Sequence, residues 1–372
     1  MCLHPLLVKN PNYGKNPIPG SPFSLKDCSS QYIKVPCGKC SQCIAFKQLS
    51  LIQRLQMESL ENHLFFASLT YNNEMIPTVT ASSGFEFRYS SYDDLRNMMK
   101  RIRNDNLFGR PFKYFAVSER GSKRSRPHFH IIFIIPKFDG DDHYSILNLE
   151  SSLFQVVLSQ WKRKVGGSKR SPIYKPLCTY IRKYKNGKLN TTFDLHFIRP
   201  LPGDSCLSVA FYVLKYMLKP STNETRLQQA LRLNLPEDEY NDIWKLVRSR
   251  YFVSKDFGSS RSPKVRSFLK DCIKKSIKSK DYDFPLFFNP DTGSSFPLAR
   301  FYRSKGDIYS FDDACFFYWK HGDSDRVDTV IDNDDTPVEI ISNLRKQLSD
   351  YERIVSNLEV PGIFDDCDDL FD

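Results

Sequence analysis

Two groups of side chains in this chain stand at spacings that could do phosphate chemistry. In "RPHFHIIFIIP", Arg126 to Pro136, His128 and His130 are two residues apart at the head of an apolar run. Successive side chains of a strand point to opposite faces, so both imidazoles project from one face, roughly 6.6 Å apart at their α-carbons. So placed, they can converge on one ion. Upstream, "VSER" closes another strand-like run at Arg120, and "GSKRSRP" is about the length of loop that returns a chain antiparallel. Glu119 would then lie beside the imidazoles and complete a His, His, carboxylate face with open positions, as a divalent ion working on phosphate needs. Taken alone, H-x-H is met equally well by core or surface histidines.

The second group is "YVLKYMLK". On a helix Tyr212, Lys215, Tyr216 and Lys219 fall at i, i+3, i+4 and i+7, which gathers two phenols and two ammoniums on one face. Lysines are rarely buried, so a core does not want this face, and the plain alternative is an exposed amphipathic stripe. A phenol with an unperturbed pKa of about 10 is a poor nucleophile until neighbouring cations or a metal-polarised phosphate favour phenolate. Beside a metal-binding strand, this face is suited to attack on a phosphodiester.

A third group, "CGKCSQC", sets Cys37, Cys40 and Cys43 at C-x2-C-x2-C. A tight turn lets two thiolates meet one tetrahedral ion, so a structural zinc is expected, with Cys2, His4 or Cys28 as the fourth ligand. The longer cysteine runs of iron–sulfur sites are missing. Cys178, Cys206, Cys272, Cys315 and Cys367 are isolated and read as ordinary small residues.

The elements that must position these groups can be traced along the chain. Residues up to about Gly38 form an extended arm rich in Pro, Asn, Gly and Ser. Helical spacing begins in "CSQCIAFKQLSLIQRLQMESLEN" and returns in "SSYDDLRNMMKRIRNDN", where Ser91 is placed to cap. Strands are expected at His63–Tyr71, Phe112–Glu119, His128–Ile135 and Thr191–Ile198. Helices are expected through "YSILNLESSLFQVVLSQWKRK" and "GDSCLSVAFYVLKYMLKP". Strands and helices mix without βαβ alternation, which predicts an α+β fold with a central antiparallel sheet flanked by helices. The expected divisions are an arm with the cysteine cluster (1–60), a nuclease core (61–222), a basic helical DNA-binding extension (223–320) and an acidic region with a short heptad-like helix (321–372).

Charge is divided unevenly. The first 320 residues carry 50 Lys and Arg against 28 Asp and Glu, whereas the last 52 carry 4 against 15. Basic runs interleaved with aromatics point to a polyanion, with nucleic acid foremost. Candidate contacts are Lys123, Arg124, Arg126, Lys169, Arg170, Arg261, Lys264 and Arg266. The acidic end is expected to compete for the basic face. No apolar stretch approaches the ~20 residues of a membrane span and "MCLHPLLVKN" lacks a signal-like apolar core, so a cytosolic, thiol-reducing setting is expected. No G-x-x-x-x-G-K-[ST] loop is present to suggest an ATPase.

Together the motifs resemble a known superfamily. "RPHFHIIFIIP" looks like the His-hydrophobic-His motif of the HUH endonucleases, "YVLKYMLK" is similar to their two-tyrosine motif, and "FFASLTY" resembles their first strand motif. The opening "MCLHPLLVKNPNYGKNPIPG" with "VPCGKCSQC" resembles the replication-associated proteins of gokushovirus-type microviruses. The resemblance covers about Met1 to Lys219. It implies a rolling-circle replication initiator that nicks single-stranded DNA at an origin, holds the 5′-phosphate on a tyrosine and rejoins the ends to release a circle. On this resemblance His128, His130 and Glu119 are ligands of Mg²⁺ or Mn²⁺, with Glu74 and Asp194 as alternatives to the glutamate. Tyr212 and Tyr216 are the nucleophiles, Lys219 stabilises charge and Lys215 is a secondary candidate. The partners implied are single-stranded and duplex origin DNA, a host helicase and a host polymerase, in the cytoplasm of an infected bacterium. Two other functions fit parts of the sequence: a non-enzymatic zinc-containing nucleic-acid-binding protein, which leaves the Tyr/Lys face unexplained, and a strand transferase of transposase or relaxase type.

Overall fold

The structure is a computed structural model and describes residues 3–15, 30–38, 40–107, 109–121, 125–178, 183–185, 188–190, 193–197, 222–279, 285–288, 295–303, 308 and 313. Tyr212, Lys215, Tyr216, Lys219, Cys2, Cys28, Lys123, Arg124 and the acidic region from 321 lie outside the described residues. The chain divides into two compact units, one holding the described residues of 61–199 and 212–257, the other those of 1–60 and 258–360. The helices are α1 (Ser41–Ser59), α2 (Tyr92–Asn104), α3 (His143–Gln160), α4 (Thr222–Asn234), α5 (Glu237–Val247) and α6 (Pro263–Ser279).

In the first unit five strands make one antiparallel sheet: β1 (Asn62–Thr70), β2 (Lys113–Arg120), β3 (Pro127–Pro136), β4 (Phe193–Phe197) and β5 (Arg250–Val253). Their spatial order is β4-β1-β3-β2-β5. The α+β class and the central antiparallel sheet expected from the sequence are therefore present. The edge strand β5 comes from within 223–320, so this segment supplies sheet as well as helix.

β3 sits at the centre because its apolar residues must be covered on both faces. Phe129, Ile131, Phe133 and Ile135 share a core with Leu95, Met98, Met99 and Ile102 of α2 and with Leu149, Leu153 and Val157 of α3. His128, His130, Ile132 and Ile134 take the opposite face and are also buried. In the same unit the hairpin Thr78–Thr80/Glu86–Arg88 packs Val79 and Phe87 against Leu231, Tyr240 and Ile243 of α4 and α5.

The run through "SQWKRK" departs from the single helix expected. α3 ends at Gln160, Trp161 turns fully inward, and Lys162–Gly167 pairs antiparallel with Pro172–Pro176. Gly167 has φ +76°, and a Cβ there would lie 2.2 Å from Ser171 O, so only glycine closes this turn. Arg163 then reaches Asp94 with two hydrogen bonds, from Nε at 2.8 Å and Nη2 at 2.5 Å.

Asp94 ties the first unit together. It lies in the first turn of α2, where its N–H donates to Ser91 Oγ, the cap expected from the sequence. Tyr71, just past β1, donates its hydroxyl to Asp94 Oδ2 at 3.2 Å and accepts from the Ser91 N–H at 3.1 Å. The end of β1, the start of α2 and the Lys162–Gly167 strand thus meet at one buried carboxylate.

In the second unit Leu6–Lys9 pairs with Tyr32–Val35, which gives part of the N-terminal arm a regular hairpin. Gln53 of α1 donates to Pro297 O at 2.9 Å and accepts from Ala299 N at 2.7 Å, anchoring the hairpin Leu286–Phe288/Ser295–Pro297.

Asp94→Ala leaves the buried part of Arg163 and the Tyr71 hydroxyl without their partner, so a loss of about 3–5 kcal/mol is expected in urea unfolding. Asp93, exposed and paired with Arg96 across one turn, serves as the control. Its replacement by alanine should cost no more than ~1 kcal/mol. Equal losses for the two variants would remove Asp94 from this role.

Candidate metal centre

The register of the sheet builds the site. On β3, His128 lies opposite Glu119 of β2 and Thr70 of β1, and His130 lies opposite Val117 and Ser68. Glu119 Oε1 is 2.9 Å from His128 Nε2 and 3.1 Å from His130 Nε2, and the two Nε2 atoms are 3.1 Å apart. These three atoms form a nearly equilateral triangle. An ion about 2.1 Å from each ligand places neighbouring ligands about 3.0 Å apart at octahedral angles and about 3.4 Å apart at tetrahedral ones. The observed edges match one face of an octahedron.

The surroundings suit an ion. His128 Nδ1 is 3.1 Å from Arg126 O, a carbonyl that can only accept, so the proton sits on Nδ1 and the Nε2 lone pair faces the triangle. His130 Nδ1 is 3.0 Å from Ser68 Oγ, and its ring stacks on Phe66 with centroids 5.3 Å apart. Glu119 is 6% exposed. Burial pushes its carboxyl up, but the His130 and His128 imidazoles outweigh burial and hold it down at about 2, so it is a carboxylate. Its Oε2 is buried with no hydrogen-bond partner among the described residues. A carboxylate oxygen left bare at the centre of two imidazoles fits a missing cation.

Of the other carboxylates weighed from the sequence, Glu74 is exposed in a turn, and Asp194 stands opposite Ser68 on β4 with its side chain undescribed. Arg126 donates to Tyr71 O from Nε at 3.1 Å and also from Nη2, so its guanidinium clamps the β2–β3 loop to the end of β1. Lys169 and Arg170 are exposed beyond Gly167, and Arg261 and Lys264 are exposed at the start of α6. Arg266 is half-buried and donates to Arg261 O at 3.4 Å. Sequence reasoning missed Ser68, Thr70 and Phe66 on β1. Their signal was polar residues at alternate positions of a strand whose other residues are apolar.

The cysteines form a separate cluster. One sulfur each from Cys37, Cys40 and Cys43 lies within 4.8 Å of the other two. Cys37 Sγ and Cys43 Sγ are 4.0 Å apart, near the ~3.8 Å edge of a tetrahedral zinc thiolate site. Gly38, at φ +73°, lets the chain turn back between Cys37 and Cys40. Backbone N–H groups of Cys43 and Leu3 lower the Cys40 thiol to about 6, whereas burial raises Cys178 and Cys272 to about 11. His4 is exposed and outside the group.

In metal-free protein at pH 7, Cys40 is therefore mostly thiolate and should react with iodoacetamide well before Cys178 or Cys272. Its rate should fall as the pH drops through about 6. Peptide mapping of a timed reaction checks this, and equal labelling of the three would contradict it. At the other cluster, Glu119→Gln or His128→Ala should weaken Mn²⁺ binding by about 100-fold or more, read by calorimetry or by the paramagnetic resonance of free Mn²⁺.

The sheet that carries the triangle has relatives among known proteins. Residues 64–190, which contain most of β1 and all of β2 and β3 with the three site residues, match the family described as Replication-associated protein ORF2. The chain is similar to Replication-associated protein ORF4 of Chlamydia phage 1, 31% identical over 103 residues, 26% of this chain and 23% of that protein. It is also similar to Replication-associated protein ORF2 of Spiroplasma virus 4, 28% identical over 148 residues, 36% of this chain and 43% of that protein. The chain spans less than half the length of either relative. No solved structure matches it. With the Glu119, His128, His130 triangle lying within the matched region, the chain is a HUH-type replication-associated protein related to these phage ORF2 and ORF4 proteins.

Proposed function

We propose that the chain initiates rolling-circle DNA replication by nicking one strand at an origin. The observation that carries this is the octahedral-face geometry of Glu119, His128 and His130 inside the region matched by the replication-associated family. A bound Mg²⁺ or Mn²⁺ would polarise the scissile phosphodiester there. Tyr212 or Tyr216 attacks phosphorus through its phenolate oxygen. The bond to the 3′-oxygen breaks, the 3′-oxygen takes a proton, and the 5′-phosphate remains on the tyrosine. The other tyrosine, about 6 Å along a helix, cuts the regenerated origin, and the released 3′-OH displaces the first tyrosine to close a circle. Lys219 neutralises charge that grows on the phosphate, with Lys215 in support.

The remaining assignments follow from the same proposal. The cysteine cluster holds a structural zinc, with Cys2 as the fourth ligand. The exposed basic residues of the Gly167 turn and of α6 contact DNA phosphates. The partners are single-stranded and duplex origin DNA, together with the host helicase and polymerase, in the cytoplasm of an infected bacterium. Among the described residues no helix is long and apolar enough to cross a membrane.

The test is a nicking assay on a single-stranded origin oligonucleotide that follows the covalent protein–DNA adduct. EDTA or the His128→Ala/His130→Ala pair should abolish the adduct, while salt-sensitive DNA binding persists. Each single Tyr→Phe variant should keep some cleavage but lose sustained turnover, and the double variant should form no adduct. Lys219→Ala should slow cleavage by about 100-fold or more, with little change in binding. An adduct formed by the double variant would show that the nucleophile lies elsewhere. Elemental analysis should find about one zinc per chain, lost in Cys37→Ser/Cys40→Ser.

A further inference from the structure

Strand β1 breaks its own apolar pattern beside the metal centre. Phe65, Ala67, Leu69 and Tyr71 enter the core shared with α2 and α3, and Phe66, Ser68 and Thr70 take the opposite face. Ser68 is 1% exposed and Thr70 is 2% exposed. A buried hydroxyl costs stability unless it is hydrogen-bonded, so two of them on one face of a central strand call for a cause. Each lies directly opposite a histidine: Ser68 against His130 and Thr70 against His128. Ser68 Oγ is 3.0 Å from His130 Nδ1. Thr70 Oγ1 has no hydrogen-bond partner among the described residues, and neither does Glu119 Oε2, two strands across in the same row.

On the reading that the Glu119, His128, His130 triangle holds an ion, we propose that β1 supplies the outer half of that site. Ser68 fixes His130 in the tautomer that leaves Nε2 bare for the ion, and Thr70 hydrogen-bonds a water carried by the ion. A neutral imidazole has one N–H, so Nε2 offers its lone pair only when the proton is on Nδ1 and has an acceptor. Ser68 Oγ is that acceptor, in the part that Arg126 O plays for His128. The stacked Phe66 ring holds the His130 plane, so the hydroxyl and the triangle stay aligned with Nδ1 and Nε2. Thr70 adds what the three ligands lack. An octahedral ion with one protein face keeps waters on its other positions, and a hydroxyl in the His128 row can orient one of them. Both are positioning residues.

The experiment measures Mn²⁺ binding to the full chain by calorimetry, together with long-range proton–nitrogen NMR of the histidines in metal-free protein. Ser68→Ala should weaken Mn²⁺ binding about 10- to 100-fold and shift His130 toward the Nε2-protonated tautomer, and Ser68→Thr should restore both. Thr70→Val, which replaces an unpartnered buried hydroxyl by a methyl, should melt at a higher temperature yet bind Mn²⁺ about tenfold more weakly, and Thr70→Ser should keep the wild-type affinity. A purely structural role for these residues predicts the reverse pairing, with stability altered and affinity untouched. If wild type binds Mn²⁺ and the Ser68→Ala and Thr70→Val variants bind it equally well, the proposal for β1 is overturned while the metal centre stands. If wild type does not bind Mn²⁺ at all, the metal centre falls and this proposal falls with it.

Discussion

The first unit depends on the pairing register between β2 and β3. Side chains alternate along a strand, so a slip of one residue would send Glu119 to the opposite face, into the core shared with α2 and α3, while His128 stayed behind. Burial on both faces forbids that slip, because the same step would turn Phe115 and Val117 over as well. The loop that joins the strands is held from outside: Arg126 is clamped to Tyr71 O, and Arg120 donates to the carbonyls of Arg88, Ser125 and Val247. The apolar core thus sets the geometry of a polar site that contributes little to the core.

That site is costly to a folded chain on its own. Removing a carboxylate from water in a nearly dry sheet carries a penalty of several kcal/mol, which two imidazoles offset only in part. The carboxylate stays ionised because the histidines face it, and the histidines present lone pairs because Arg126 O and Ser68 Oγ lie behind them. Each group is held in its charge state or tautomer by the next. Asp94, by contrast, is a buried carboxylate fully occupied by Arg163 and Tyr71, and its bonds serve assembly alone.

Much of this was legible in the sequence because it rests on period-two alternation and local loop length. His128 and His130 on one face, Glu119 brought back by a short loop, and Ser91 capping α2 all follow from spacing within a few residues. The contributions that were not legible are long-range. Ser68 reaches His130 from 62 positions away, and Arg163 reaches Asp94 from 69. The basic run after Gln160 reads as the end of a helix, yet the Gly166–Gly167 break and the Asp94 contact turn it into a hairpin. The strand Arg250–Val253 gave no sign that it would close the sheet edge beside β2, since edge pairing is decided by a partner more than a hundred residues away.

The hairpin geometry also says which spacings can drift among related chains. The eight residues between Glu119 and His128 include the loop, and the ladder would keep the two opposite each other if that loop grew or shrank. The single residue between His128 and His130 has no such freedom, because an insertion there moves one imidazole through the sheet to the other side. The Ser68–Thr70 interval is bound by the same parity. Distant relatives of this chain should therefore be sought with a pattern that fixes two short intervals of two and leaves the distance to the glutamate elastic.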